Sequence, residues 1–139
     1  MKRLLFAAFL LAPAFAAADP PPPPPAHQQE TPEMKEQLKK DAAALQDQIK
    51  ASPSDPELYV KLGFTYARLD QADDAQQAFE NAVRLDPKKA VAHYMLGLIY
   101  EKKGMKDSAL AAWKACLENT QDPRIRDTAA RHIHHLSHV

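Results

Sequence analysis

From Thr31 onward, apolar residues return every three or four positions and charged residues fill the intervals. Met34, Leu38, Ala42, Leu45 and Ile49 trace one such stripe, which is the spacing of an amphipathic helix. Thr31 and Asp55 stand as N-caps, each followed by a proline suited to a first helical turn. The stretch SPSDP at 52–56, Asp70, Asp86-Pro87, Gly104 and Asp122-Pro123 punctuate the pattern. The segments between predict six helices, near 32–51, 57–69, 73–85, 90–103, 107–119 and 123–137. No window alternates convincingly as a strand would. Short breaks between helices of this length predict antiparallel neighbours in an all-α fold.

The pattern also repeats. Leu62 and Leu96 are 34 positions apart, as are Gly63 and Gly97, Tyr66 and Tyr100, Ala75 and Ala109, Phe79 and Trp113, and Ala82 and Cys116. The glycines let the second helix of a unit approach the first, and the alanines offer it a small facing surface. The large rings are expected to fill the wedge between one helix pair and the next. Pro87 ends the second helix. This period and these residues resemble the tetratricopeptide repeat, nearly completely over 56–89 and well over 90–123. The resemblance implies helix–turn–helix units stacked as a short right-handed superhelix with flanking helices. Three features depart from the pattern. Asp70 stands where the second unit has Gly104, and a left-handed Asp is costly, so the two turns are expected to differ. His93 replaces the large ring of Tyr59, and Gln121 replaces the proline that Pro87 supplies. Two units are few for a stable stack, so the helices at 32–51 and 123–137 are expected to supply the missing neighbours. In the last helix Ile125, Ala129, Ile133 and Leu136 can pack inward while Arg124, Arg126, Asp127 and Arg131 face water.

The first residues follow different rules. Lys2 and Arg3 precede the apolar run LLFAAFLLAPAF, and AFAAAD then offers small residues. That order reads as a secretory signal cleaved after Ala18, or alternatively after Ala16. The run is short for a spanning helix, so the mature form is expected to carry no membrane span and to be periplasmic or secreted. Six consecutive prolines, Pro20–Pro25, form neither helix nor sheet and read as a stiff extended spacer. The expected organisation is a signal peptide at 1–18, a proline-rich disordered linker at 19–31 and a flanking helix within 32–55. Repeats at 56–89 and 90–123 follow, and a His-rich capping helix at 124–139 closes the chain.

Composition removes several functions. Lys+Arg and Asp+Glu both number 18, so no basic field points to nucleic acid. One cysteine excludes an internal disulfide framework. Cys116 stands where the first unit has Ala82, which makes it a packing residue. The three glycines form no phosphate-binding loop, and no nucleophile, base and anion hole assemble. No enzyme activity and no cofactor is expected. His132, His134, His135 and His138 crowd the terminus at spacings that could share a metal ion, but no nearby carboxylate or thiol completes the set.

The resemblance also implies a concave face lined by the first helix of each unit. By repeat alignment that face takes Val60, Lys61, Phe64, Ala67 and Arg68, then Tyr94, Leu98, Glu101 and Lys102, with Thr128, His132 and His135 from the last helix. Family members that clamp a terminal carboxylate place Lys and Asn at such positions. Here stand Val60, Phe64, Tyr94 and Leu98, which suit an apolar or amphipathic segment of a protein partner. The functional expectation is a non-catalytic adaptor or assembly factor of the bacterial cell envelope. The alternatives are a self-assembling scaffold, in which a homo-oligomer fills its own groove, and metal handling by the terminal histidines.

Overall fold

The computed structural model describes residues 30–138, so the basic start, the apolar run and the proline stretch lie outside the described residues. Among the described residues the chain forms six helices and no strand: α1 Pro32–Ala51, α2 Pro56–Arg68, α3 Ala72–Leu85, α4 Ala90–Lys102, α5 Lys106–Asn119 and α6 Pro123–Ser137. Side-chain caps start three of them. Thr31 accepts from the Met34 amide at 3.2 Å, Asp55 from Glu57 at 2.9 Å and Asp122 from Arg124 at 2.8 Å. Each cap precedes a proline, whose missing N–H is no loss in a first turn.

The pairs α2/α3 and α4/α5 are built on a ring against a glycine. A Cβ on Gly63 would stand 2.7 Å from the Phe79 ring, and one on Gly97 would stand 2.5 Å from the Trp113 ring. Both rings are fully buried, as are Ala75 and Ala109 beside them. Phe79 and Trp113 therefore seat within their own helix pair, against the glycine of the facing helix. Tyr66 and Tyr100 make the link between pairs, where the sequence pattern had placed all four rings. The Tyr66 hydroxyl accepts from Gln46 Nε2 of α1 at 2.7 Å, and the Tyr100 hydroxyl donates to Glu80 Oε1 of α3 at 2.7 Å. Burial, helped by the neighbouring Glu80, raises the Tyr100 phenol above its ordinary value.

Those two bonds expose the identity of α1. Gln46 and Glu80 are 34 positions apart, as are Tyr66 and Tyr100. The loop contacts recur too: the Tyr59 hydroxyl donates to the Pro53 carbonyl at 3.1 Å, and His93 Nε2 lies 2.7 Å from the Pro87 carbonyl. Pro53 precedes Pro87 by the same 34. So α1 packs on α2 and α3 as α3 packs on α4, acting as the second helix of a unit. Ala42 joins Leu62 and Ala78 in one cluster, with Leu45, Ile49 and Tyr66 against it. At the other end α6 packs on α5 through Ala129, Ile125, Ile133 and Leu136. Outward polar residues then finish the stack, as terminal repeats require.

The two intra-unit turns are alike, contrary to the sequence expectation. Asp70 takes φ 58° and Gly104 takes φ 70°. The Gln71 amide reaches the Tyr66 carbonyl at 2.9 Å, and the Met105 amide reaches Tyr100 at 2.8 Å, the long closing bond of a left-handed helix end. Packing of Phe79 on Gly63 fixes the approach of α3, so Asp70 adopts the strained conformation. Asp70→Gly relieves it and is expected to stabilise the fold by roughly 0.5–1 kcal/mol in urea unfolding.

Candidate functional site

The first helices of successive units, α2, α4 and α6, present one shared apolar surface. Phe64 from α2, Val91, Tyr94 and Met95 from α4, and Arg124, Ile125 and Thr128 from α6 surround an open cavity of about 320 Å³. Phe64, Val91 and Leu98 are 38%, 37% and 36% exposed, high values for such large apolar side chains. The two aromatic members are held from beneath. Phe64 stands edge-on to Phe79 at 5.3 Å and 86°, and Tyr94 stands edge-on to Trp113 at 5.1 Å and 86°. The buried ring of each unit thus orients a ring on the surface, and edge-to-face packing favours that geometry. Each ring on the groove surface therefore rests on a buried ring beneath it.

The far wall is fixed by a small polar cluster. His132 of α6 stacks on Trp113 with centroids 4.3 Å apart and planes 14° apart. Its Nδ1 lies 2.7 Å from Glu101 Oε2, and the same oxygen accepts from Trp113 Nε1 at 3.1 Å. One carboxylate oxygen therefore joins α4, α5 and α6. Arg126 adds a second tie, donating from Nη1 to the carbonyls of Leu117 at 2.8 Å and Thr120 at 3.0 Å. These acceptors lie in the last turn of α5 and just beyond it, where carbonyls lack helical partners. His132→Ala removes the stack and leaves a half-buried carboxylate with one partner fewer. It is expected to cost about 1–2 kcal/mol and to shift Trp113 fluorescence, with hydrogen exchange rising first in α6.

The residues assigned to the concave face from sequence divide into four groups. Phe64 and Tyr94 line the cavity with Thr128, and Leu98 lies one turn past Tyr94 on the same helix. Ala67 and Lys102 line a separate, smaller cleft of about 100 Å³ with Asp70, Ala72, Ala75 and Ile99. Arg68 and Glu101 are engaged within the fold, Arg68 Nε by Glu30 Oε1 at 2.9 Å and Glu101 by His132 and Trp113. Val60 requires correction, because it is buried in the core with Ala75, Phe79 and Ala92. Four successive residues advance a helix by about 40° beyond a full turn, and that rotation takes Val60 from the Phe64 face toward α3. Val91, Met95, Arg124 and Ile125 were missed. Val91 and Ile125 are 34 apart, so the repeat itself carried the signal.

The terminal histidines do not act together. His132 turns inward to Glu101 and Trp113, while His134 and His138 pair on the exposed side with rings 4.4 Å apart. His135 lines a third cleft with Glu101, Gly104, Lys106 and Leu136. Among the described residues no group of three or more His, Cys, Asp or Glu could hold a metal ion. Cys116 is fully buried, and burial raises its thiol above the ordinary value, which disfavours the reactive thiolate.

Residues 70–131 match the family model described as tetratricopeptide repeat. The match runs from the α2–α3 turn into α6, across the second unit and the cap. No curated protein matches the sequence. No helix among the described residues is long and apolar enough to cross a membrane.

Proposed function

We propose that this chain, whose residues 70–131 match the tetratricopeptide repeat model, is a repeat protein of that kind, which typically serves protein–protein interaction without catalysis, and that its groove captures an apolar or amphipathic segment of a protein partner. The observation that carries this reading is the run of apolar side chains around one open cavity, exposed Phe64 on α2 and Val91 on α4 and half-buried Ile125 on α6. A soluble surface keeps such a patch when something docks there. Rings locked edge-on beneath the surface suit it to binding, because little side-chain freedom is lost when a ligand arrives.

We place this activity in the bacterial cell envelope, as an adaptor or assembly factor. The support is the order of Lys2, Arg3, the apolar run and the small residues ending at Ala18, which is the order of a cleaved secretory signal. Mass spectrometry of the exported protein tests this, and a chain beginning at Asp19 is expected. The groove is tested by capture from envelope extract with the chain and with its Val91→Asp, Leu98→Asp variant. Proteins retained by the first and lost by the second are its partners. An identical set on both ends the reading, and a dimer by light scattering that the double variant dissociates would replace it with self-assembly.

A further inference from the structure

The charges around the groove are not balanced. On α2, α4 and α6 every carboxylate is engaged within the fold: Glu57 by Lys89, Glu101 by His132 and Trp113, and Asp127 by Arg131 at 3.1 Å. The cations are not all matched. Among the described residues the side chains of Lys61, Lys102 and Arg124 make no hydrogen bond and no ion pair, and Arg124 lines the cavity itself. Around it stand apolar side chains and the hydroxyl residues Tyr94 and Thr128, with no carboxylate or side-chain amide. The Tyr94 hydroxyl also makes no hydrogen bond among the described residues.

The helix ends add to that sign. Val91 and Arg124 are the second residues of α4 and α6, so the cavity lies beside two helix N-termini, which carry partial positive charge. The other four helices each place Glu or Asp in the first turn, whereas α4 and α6 place neither. Asp122 is close in sequence, but its carboxylate accepts from the Arg124 amide at 2.8 Å and does not line the cavity.

Desolvation sets what can dock there. A segment seated on Phe64, Val91 and Ile125 removes water from beside the Arg124 guanidinium. A charge covered without a partner is costly. A carboxylate offsets that cost through charge-assisted hydrogen bonds, which strengthen as water leaves. A lysine in the same place would be repelled. A terminal carboxylate is the weaker candidate. Chain ends are captured by free backbone amides, and the Arg124 amide is already taken by Asp122. Among the described residues no helix follows α6 to close the groove beyond Arg124, so a continuous segment can run past it.

We infer that the groove selects an acidic–apolar segment of its protein partner, with an internal Asp or Glu side chain on Arg124 beside apolar side chains on Phe64, Val91 and Ile125. This rests on the groove reading above and adds the charge of the ligand.

The probe is a random library of short peptides displayed without a free C-terminus and selected on the chain. Enrichment of Asp or Glu beside apolar residues is expected, and selection on Arg124→Glu is expected to replace it with Lys or Arg. A selected peptide is then titrated by fluorescence anisotropy. Arg124→Gln, or the matching amide in the peptide, is expected to weaken binding about five-fold, and the two changes together no further. Added salt should narrow the difference. Apolar peptides without acidic preference overturn this inference and leave the groove reading standing. So does an acidic preference that survives Arg124→Glu, or one that appears only at the free end in a second library displayed with its C-terminus exposed. Retention undiminished by Val91→Asp, Leu98→Asp removes both readings, as does a library from which nothing is retained.

Discussion

Trp113→Ala is expected to lower stability by about 3–5 kcal/mol, the largest single loss available in this chain, read as the shift in urea unfolding. Trp113 is fully buried and does three things at once. It fills the notch at Gly97, supports the edge-on ring of Tyr94, and carries the stacked His132. Its removal opens a cavity between α4 and α5 and also leaves Glu101 without the indole donor. The glycine supplies the discriminating control. Gly97→Ala alone forces a methyl toward the indole ring at 2.5 Å and is expected to cost about 1–3 kcal/mol through overpacking. In the Trp113→Ala background the same methyl enters empty space, so its cost should vanish. The cycle is expected to show a coupling of about 1–3 kcal/mol. Additive losses would mean that Gly97 is needed for some reason other than the approach of Trp113.

That coupling explains why so much of the fold was legible in the sequence. A glycine facing a ring, with small residues beside them, is a steric pairing that few other residues satisfy, and it recurs at a spacing of 34. The helix ends were legible because caps and prolines act locally. Asp55-Pro56 and Asp122-Pro123 mark helix starts, whatever packs against them later. The role of α1 was less visible. Its unit lacks a legible first helix, since prolines occupy part of that interval, and Asp41 and Gln48 stand where Ala75 and Ala82 line the core. What survives is a set of paired contacts, Gln46 to Tyr66 and Glu80 to Tyr100. These tie the same two repeat positions with different residue types and with donor and acceptor exchanged, so identity at the repeat distance does not reveal them.

The groove was legible in outline and wrong in register. Assigning residues to a face by spacing alone treats positions four apart as equivalent, and the rotation that accumulates along a helix decides between burial and exposure. Val60 and Tyr94 are repeat counterparts, yet Val60 is buried and Tyr94 reaches the cavity, because Tyr94 is larger and only α6 lies beyond it. Charged candidates carry a further ambiguity. Glu101 and Arg68 were assigned to the concave face from the sequence, but each finds a partner distant along the chain, His132 and Glu30 respectively.

Partner binding by the Val91→Asp, Leu98→Asp chain is expected to fall by more than about 100-fold against a captured partner titrated directly. Each substitution buries a carboxylate where an apolar anchor docked, and central anchors are typically worth about 2 kcal/mol or more apiece. The pair is preferable to a change at Phe64, whose ring also packs on Phe79 inside the first unit. Val91 lines the cavity, Leu98 lies seven positions on and so on the same face of α4, and both are more than one-third exposed, so neither supports the core. Unfolding of the variant in urea is therefore expected within about 0.5 kcal/mol of the parent, and helical circular dichroism should be unchanged. A loss of binding that came with a lower unfolding midpoint would report damage to α4 rather than to the docking surface.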